Sequence, residues 1–287
     1  MSEKKVIIFG AQGMLGQELV REFGAVGYEI HALDRDECDV TNETAVREVL
    51  EMIKPTLVIN AVAHNGVDAI EDHEDEYVKA RMLNVEVPGM LAQLCKKNTI
   101  VFVHYSTDYV FSGSNIDGYD ESSIPDPVSK YGELKALGEG VVIDAGGSYY
   151  IIRLSKLFGK PAFSTGAKKS FVDTILALVR EGGKNELDIV DEEVSAPTYA
   201  PDLAQFTRKL IEDAPLSGIY HGANSGACTW FGFASRIFEY AGLSPKLIPV
   251  TSNTFPRPAK RPDNSVLLNT KRPIQRSWEE ALKEYLG

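Results

Sequence analysis

Blocks of hydrophobic and polar residues alternate along the first half of the chain, and their lengths predict strands and helices in turn. Short strand-like runs cover residues 6–10, 29–34, 56–63, 99–106 and 148–155. The stretches between them carry apolar residues at helical spacing, which predicts helices over 11–27, 41–55, much of 73–97, and 129–144. This alternation predicts an α/β fold built on a doubly wound parallel sheet with helices on both faces.

The last third of the chain has a different pattern. Residues 168–181 and 229–242 again show apolar residues at helical spacing, which predicts two further helices. Residues 260–273, KRPDNSVLLNTKRP, contain two basic-proline steps and turn-forming residues, so we expect an irregular loop there.

Composition and charge exclude several classes of protein. The net charge of −11 argues against a nucleic-acid partner, because phosphates would be repelled. The apolar runs are too short to span a bilayer, and no signal-peptide region precedes the first strand. The three cysteines are far apart and form no CxxC pair, as is typical of a reducing compartment; they are Cys38, Cys95 and Cys228. We therefore expect a soluble cytoplasmic protein with no nucleic-acid or membrane partner.

A glycine-rich turn follows the first predicted strand. The sequence GAQGMLG spaces Gly10, Gly13 and Gly16 so that a tight turn can lead directly into a helix. Such a turn lets a pyrophosphate approach the backbone and the free N–H groups of the helix N-terminus. This position indicates a dinucleotide-binding fold of the Rossmann type. The residues predicted to contact the cofactor here are Gly10, Gln12, Gly13, Met14, Leu15 and Gly16.

The end of the second predicted strand bears on which dinucleotide binds. Asp34 is placed where a carboxylate can accept a hydrogen bond from an adenosine ribose hydroxyl, as in NAD sites. Arg35 follows directly and can instead meet the 2′-phosphate of NADP. The pair leaves the choice open, and we predict a modest preference for NADPH, with NADH possible. Asp39 and Val40 are candidate adenine-side contacts, although a helix-capping turn explains Asp39 equally well.

Tyr131 and Lys135 are four residues apart in a predicted helix, so they share one face. A phenol has an ordinary pKa of about 10 and is a poor acid near neutral pH. A neighbouring ammonium would lower the pKa of the tyrosine and make it a usable proton donor. The competing interpretation is a tyrosine and a lysine on a solvated helix face.

Several motifs together resemble one family. The segments GAQGMLG (10–16), YSTDYVFSG (105–113) and YGELK (131–135) resemble the extended short-chain dehydrogenase/reductases. Within that group the chain is most similar to the dTDP-4-dehydrorhamnose reductase family. The narrower match rests on residues 59–71, 194–204, 218–234 and 260–271, so the resemblance runs nearly end to end.

The resemblance implies a division into two domains and a catalytic group. Residues 1–155 would form a dinucleotide-binding domain to which the chain returns around 190–215. Residues 156–287 would form mainly a smaller α/β substrate-binding domain, with the active site in the cleft between. Thr107, Tyr131 and Lys135 fall where the family keeps its catalytic Thr/Ser, Tyr and Lys. The implied partner is a nucleotide-sugar substrate, and a homodimer is possible.

Further contacts follow from the same resemblance. Small residues match a stretch that lines the nicotinamide side of the cofactor; they are Ala61, Val62 and Ala63. Thr107 and Asp108 would lie near the sugar, and a turn cap is the alternative for both. Lys260 and Arg261 could neutralise the diphosphate of the substrate, or they could belong to a solvated basic loop. We expect no metal site, because no metal-binding spacing occurs.

The chain departs from the family pattern at three positions. His64 and Asn65 replace a tyrosine and a threonine, and we assign His64 no chemical role. Lys156 replaces a tryptophan associated with the sugar ring of the substrate. Either the loop closes differently in this chain, or the substrate is a more polar or acidic sugar, or catalysis is lost.

Three functions are therefore compared. The first is an NAD(P)H-dependent reductase of a dTDP-linked 4-keto-6-deoxysugar, of the rhamnose type. The second is a non-catalytic cofactor-binding subunit resembling the regulatory beta subunit of methionine adenosyltransferase. The third is a related nucleotide-sugar epimerase or dehydratase, which would need further acid or base residues beside Thr107. The intact Thr107, Tyr131 and Lys135 favour the reductase.

Overall fold

The computed structural model describes residues 4–163 and 169–287. Within this part of the chain, six parallel strands form the main sheet in the order β2-β1-β3-β4-β5-β9. Its strands are β1 (Lys5–Phe9), β2 (Glu29–Leu33), β3 (Leu57–Asn60), β4 (Val101–Thr107), β5 (Tyr149–Leu154) and β9 (Gly218–His221). The five strands predicted from the sequence are β1 to β5, and the prediction of a Rossmann-type parallel sheet is confirmed.

Helices cover both faces of this sheet. They are α1 (Met14–Ala25), α2 (Glu43–Ile53), α3 (Val67–Asp72), α4 (Glu74–Arg81), α5 (Val87–Lys97), α6 (Lys130–Ala145) and α8 (Ala200–Asp213). Successive side chains of a strand point to opposite faces. Val6 and Ile8 accordingly pack in the core beneath α1 and α8, whereas Ile7 and Phe9 pack in the core beneath α2, α5 and α6.

Local side-chain hydrogen bonds determine where several helices begin. The Asn42 side chain accepts hydrogen bonds from two backbone N–H groups of α2, and the Ser129 side chain accepts one from Gly132 at the start of α6. Such caps satisfy N–H groups that lack a partner within the helix. The capped start of α6 thereby aligns the segment that carries Tyr131 and Lys135.

The long helix predicted over residues 73–97 is helical throughout from Glu74, but it is not uniform. A π-helical turn (Met82–Glu86) separates α4 from α5, and the short α3 precedes them. Asn84 lies in the π turn, is fully buried, and bonds both the N–H and the carbonyl of His64 at 2.9 Å. Insertions of this kind often occur at functional sites, and here the turn fixes the segment after β3.

A second, smaller body is built from the C-terminal part of the chain. Its elements are β6 (Leu157–Phe158), α7 (Phe171–Arg180), β7 (Glu186–Val190), β8 (Thr198–Tyr199), α9 (Trp230–Tyr240), β10 (Lys246–Val250) and α10 (Trp278–Leu286). β7 pairs with β10 and β6 pairs with β8, both in parallel. Neither pair was predicted from the sequence. The predicted helices over 168–181 and 229–242 correspond to α7 and α9, and residue 168 lies outside the described residues.

The loop predicted over residues 260–273 is present and is tied to both bodies. Isolated bridges join Leu267 to Tyr119 and Asn264 to Val194. The chain also returns to the main sheet through α8 and β9, and α8 packs on α1. No helix among the described residues has the length and apolar character needed to cross a membrane.

Candidate active site

A cleft of about 780 Å³ lies at the carboxyl ends of β1, β3, β4 and β5. Parallel α/β sheets bind ligands at this edge. The cleft is walled by the 13–16 turn, the segment after β3, the start of α6, residues 154–157 and 193–195, and the start of α9. Both bodies of the chain therefore contribute to one site.

The glycine turn is shaped for the close approach of a ligand. Gly10 has a φ of 76°, which only glycine adopts easily, and a Cβ there would lie 3.1 Å from backbone atoms of Ala61 and Val62. A Cβ on Gly16 would meet the Gly10 carbonyl at 2.0 Å, so this glycine is needed for the turn to pack on the helix. Gly13 caps α1 without a side-chain bond, leaving the helix N-terminus open toward the cleft. The turn fits a dinucleotide pyrophosphate.

Residues at the end of β2 form a separate wall beside this turn. Asp34 accepts hydrogen bonds from the backbone N–H of Gln12 at 3.1 Å and of Arg35 at 2.9 Å. Asp34 is thus held next to the turn, and Arg35 is exposed beside it. Asp39 bonds the backbone and hydroxyl of Thr41, and these bonds lower the pKa of Asp39. The turn-capping interpretation of Asp39 therefore accounts for its contacts.

Thr107 and Asp108 follow β4 and form a buried polar pair. The Thr107 hydroxyl donates to Asp108 Oδ1 at 3.0 Å, and the Ser265 hydroxyl donates to Asp108 Oδ2 at 2.6 Å. Burial raises the pKa of Asp108 to about 6, against the opposing effect of these two hydroxyls. Thr107 also caps the short helical turn at 108–110 by accepting from the N–H of Tyr109. The capping role and a position in the cleft thus coexist in Thr107.

The phenol of Tyr131 points into the cleft and donates to Asn65 Oδ1 at 3.2 Å. Burial strongly raises the pKa of Tyr131, and a hydrogen bond with the Thr107 side chain partly opposes that shift. The expectation that Lys135 lowers the pKa of this tyrosine is wrong. Desolvation of the phenolate raises the pKa instead, because the ring is only 8% exposed.

Lys135 lies one turn along α6, as its spacing predicts, but its charge is directed elsewhere. Its Nζ donates to the carbonyl of Tyr105 at 2.7 Å, behind Tyr131. Burial lowers the pKa of Lys135 to about 8, and the Glu139 carboxylate opposes this shift. Lys135 is only 2% exposed yet lines the cleft, which rules out the solvated helix face for this pair.

The segment after β3 crosses the floor of the cleft. β3 ends at Asn60, whose Oδ1 accepts from the N–H of Val62 at 3.1 Å and turns the chain out of the sheet. Ala61 and Ala63 then line the cleft, whereas the Val62 side chain packs against the core under α2. His64 Nε2 lies 2.8 Å from the Glu76 carboxylate at the cleft wall.

Lys156 brings a second buried ammonium to the same cleft. Its backbone has a φ of 40°, in the left-handed region that is costly for a residue with a Cβ. Its Nζ donates to the carbonyls of Cys228 at 3.0 Å and Glu193 at 3.3 Å and lies 4.3 Å from the ring centre of Trp230. Burial lowers the pKa of Lys156 to about 8. Trp230, at the start of α9, supplies an aromatic face to the cleft beside this ammonium.

Two of the three basic residues of the 255–265 loop are already paired. Arg261 forms a bidentate ion pair with Asp68, and Arg257 pairs with Glu193. Lys260 is exposed, and no described residue is placed to bind its ammonium. A diphosphate-binding role of Lys260 and Arg261 stays a prediction, since Arg261 would have to share its guanidinium with Asp68.

The structure brings most of the sequence-predicted site residues into one cleft. Those that line it are Gly13, Met14, Leu15, Gly16, Ala61, Ala63, Thr107, Asp108, Tyr131, Lys135 and Lys156. Nine of the predicted binding residues do not line it: Gly10, Gln12, Asp34, Arg35, Asp39, Val40, Val62, Lys260 and Arg261. Within 4–163 and 169–287, no cluster of three or more potential metal ligands is found.

Sequence reasoning missed three residues that shape the cleft. Ser265, Trp230 and Glu193 come from the C-terminal third and meet Asp108 and Lys156 only in the folded chain. A tryptophan directly after a helix-capping threonine was the one available signal, since large aromatic side chains at helix starts are often partly exposed. Nothing in the sequence distinguishes Ser265 or Glu193 from their neighbours.

Comparison with known proteins gives consistent matches over the whole length. The family model described as RmlD substrate binding domain matches residues 4–287. A dTDP-4-dehydrorhamnose reductase from Burkholderia thailandensis is 35% identical, with 99% of this chain and 93% of the relative aligned. A probable dTDP-4,6-dihydroxy-2-methyloxan-3-one 4-ketoreductase from Streptomyces antibioticus is 36% identical, with 97% and 93% aligned.

A solved structure is equally similar. The crystal structure of dTDP-4-dehydrorhamnose reductase from Bacillus anthracis, in complex with NADP, superposes with a TM-score of 0.91. It is 34% identical in sequence, and the match covers 99% of this chain and 98% of that chain.

Proposed function

Because this chain belongs to the RmlD substrate-binding-domain family, we propose that it is an NADPH-dependent reductase of a dTDP-linked 4-keto-6-deoxysugar. The reaction we favour converts dTDP-4-dehydro-L-rhamnose to dTDP-L-rhamnose, as the names of several relatives indicate. The observation that carries the proposal is the convergence of Thr107, Tyr131 and Lys135 on the cleft that the glycine turn also borders.

The residues around the turn suit a dinucleotide. The N–H groups at the start of α1 would hold the pyrophosphate, and Asp34 and Arg35 would meet the adenosine ribose and its 2′-phosphate. NADPH is the proposed cofactor, since a similar structure contains NADP. When bound, the reduced nicotinamide supplies the hydride that reaches the carbonyl carbon of the sugar.

Tyr131 is proposed as the proton donor in this reaction. Its phenol is uncharged near neutral pH, because burial raises its pKa, so the proton is in place before the reaction. The phenol would release the Asn65 oxygen and donate to the sugar ketone as that oxygen becomes an alkoxide. A phenol with a raised pKa is a weak acid in the ligand-free site, so bound substrate and cofactor must stabilise the phenolate.

Thr107 and Lys135 are proposed to provide that stabilisation. The Thr107 hydroxyl is close enough to the phenol to favour its anion, and a rotation away from Asp108 would let it donate to the ketone oxygen. The Lys135 ammonium, one turn behind, would hold the nicotinamide ribose and lower the cost of the phenolate. Asp108, bonded by Thr107 and Ser265, would orient the threonine.

The two bodies are proposed to divide these tasks. The part that carries the main sheet, residues 1–155 together with α8 and β9, would bind the dinucleotide. The remainder of residues 156–287 would hold the sugar nucleotide, with Lys156 near the sugar and Lys260 and Arg261 near the diphosphate. We further propose a cytoplasmic location, supported by the free thiols of all three cysteines.

The deciding experiment mixes purified protein, NADPH and dTDP-4-dehydro-L-rhamnose and follows both NADPH absorbance and the sugar product. We expect one dTDP-L-rhamnose for each NADPH consumed. Tight NADPH binding without consumption would favour the non-catalytic subunit. A changed sugar without net NADPH oxidation would favour an epimerase or dehydratase instead.

A further inference from the structure

Lys156 places a positive charge in the cleft that none of the proposed reaction steps uses. An ammonium has three N–H donors, and the carbonyls of Cys228 and Glu193 are the acceptors that the described residues supply. The remaining donor is available to an acceptor that enters the cleft. A buried ammonium is costly to maintain, which makes a purely structural role for Lys156 a poor explanation.

The ammonium is held in one place by its surroundings. It lies 4.3 Å from the ring centre of Trp230, whose indole N–H donates to the Glu193 carboxylate at 3.0 Å. Arg257 pairs with the same carboxylate and fixes it in turn. The result is a corner of the cleft that presents one aromatic face and one hydrogen-bond donor.

We propose that Lys156 is a specificity-determining residue whose ammonium donates a hydrogen bond to a ring hydroxyl of the sugar. This inference rests on the proposed function and narrows its substrate class. The cleft would prefer 4-keto sugars that keep the hydroxyl groups at both C2 and C3 over sugars that lack one of them. A missing hydroxyl would leave a charged donor unpaired in a site from which water is excluded, and such losses are larger than those of apolar contacts.

The expected discrimination follows from the strength of such a bond. Hydrogen bonds to charged groups contribute enough that losing one weakens binding by about 10- to 100-fold. If the sugar contacted only the Trp230 ring, removing a hydroxyl would cost only apolar contact, and the affinity would change less.

Equilibrium binding separates the sugar from the nucleotide. Calorimetry would measure the affinities of dTDP-L-rhamnose, of its 2-deoxy and 3-deoxy analogues, and of dTDP alone. For wild-type protein we expect at least one analogue to bind about 10- to 100-fold more weakly than dTDP-L-rhamnose. In Lys156→Met, dTDP-L-rhamnose should weaken to the level of that analogue, and dTDP should bind as in wild type. Lys160→Met removes an exposed lysine from the same segment and should change none of these affinities.

The pH dependence of sugar binding provides a second test, which does not require replacing Lys156 by an uncharged residue. The charged groups facing Lys156 are Asp108 and Glu193. The Cys228 thiol also faces it, but burial raises the pKa of this thiol to about 12 and keeps it uncharged. Because the pKa of Lys156 is about 8, its ammonium is lost as the pH rises through that value, and sugar affinity should fall. In Lys156→Arg, whose guanidinium stays protonated, this decline should disappear. NADPH binding by each variant verifies that it has folded.

Two results with Lys156→Met would overturn the proposal. One is an unchanged affinity for dTDP-L-rhamnose in a Lys156→Met protein that binds NADPH. The other is an equal weakening of dTDP and dTDP-L-rhamnose, which would assign Lys156 to the nucleotide. If Lys156→Met fails to fold, an alkaline decline that persists in Lys156→Arg refutes the proposal. A protein that binds the sugar through Lys156 but consumes no NADPH would refute the proposed function alone.

Discussion

Replacing Tyr131 by phenylalanine removes the transferable proton and leaves the ring in its pocket. The Tyr131 hydroxyl donates to Asn65 at 3.2 Å, a bond between uncharged groups, so the loss of stability should be about 1 kcal/mol. General acid catalysis is typically worth about 10²- to 10⁴-fold in rate, equivalent to about 2.7 to 5.4 kcal/mol in the barrier. The predicted increase in the activation free energy is therefore several times larger than the predicted loss in the free energy of unfolding.

The assay compares kcat, NADPH affinity and the midpoint of thermal unfolding for wild type and Tyr131→Phe. We expect kcat to fall by about 10²- to 10⁴-fold while NADPH affinity stays within about threefold. The matched control is Tyr285→Phe, which loses a similar bond to the Asp173 side chain at 2.7 Å, in the C-terminal body away from the cleft. It should lose comparable stability and keep its turnover.

Near-normal turnover of Tyr131→Phe on an accepted substrate would refute the assignment of the proton donor. Equal losses of turnover in Tyr131→Phe and Tyr285→Phe would also refute it, because stability alone would then explain the effect. The double variant with Lys135→Met should be less impaired than the two single losses multiplied, since the residues act as a unit.

Three further predictions concern the cofactor and Lys135. A Cβ on Gly13 would meet only the Gly10 carbonyl, at 3.2 Å, so Gly13→Val should fold but bind NADPH at least tenfold more weakly. The control is Gly24→Val, whose Cβ would meet nothing nearer than 3.9 Å and which should bind NADPH normally. Unchanged affinity in Gly13→Val would place the pyrophosphate elsewhere. Arg35→Ala should weaken NADPH binding by about tenfold and leave NADH binding almost unchanged. Arg180→Ala, which removes another exposed arginine, is the control. A strong preference for NADH that Arg35→Ala does not alter would contradict this prediction. Because burial lowers the pKa of Lys135 to about 8, its positive charge is lost as the pH rises through that value, so kcat at saturating substrate should decline there. In Lys135→Arg this decline should move to higher pH. A wild-type kcat profile that stays flat through this range would show that the charge is not required.

The main sheet could be predicted because its signals are local. Apolar runs of strand length, helical spacing between them and a glycine turn after β1 all lie within short segments of the chain. The small β7–β10 and β6–β8 pairs could not, because each joins segments about 40 to 60 residues apart whose patterns are weak.

For the candidate site, the sequence by itself determined which residues are candidates for the chemistry and that Tyr131 and Lys135 share a helical face. Only the tertiary structure decided how those groups titrate. The ring of Tyr131 is enclosed by the fold, so desolvation raises its pKa where spacing alone suggested a lower value. The tertiary structure also decided what surrounds Lys156, since Trp230 and Glu193 reach it from segments far along the chain. Charge and burial depend on all the neighbours of a group in space, and the sequence lists only its neighbours along the chain.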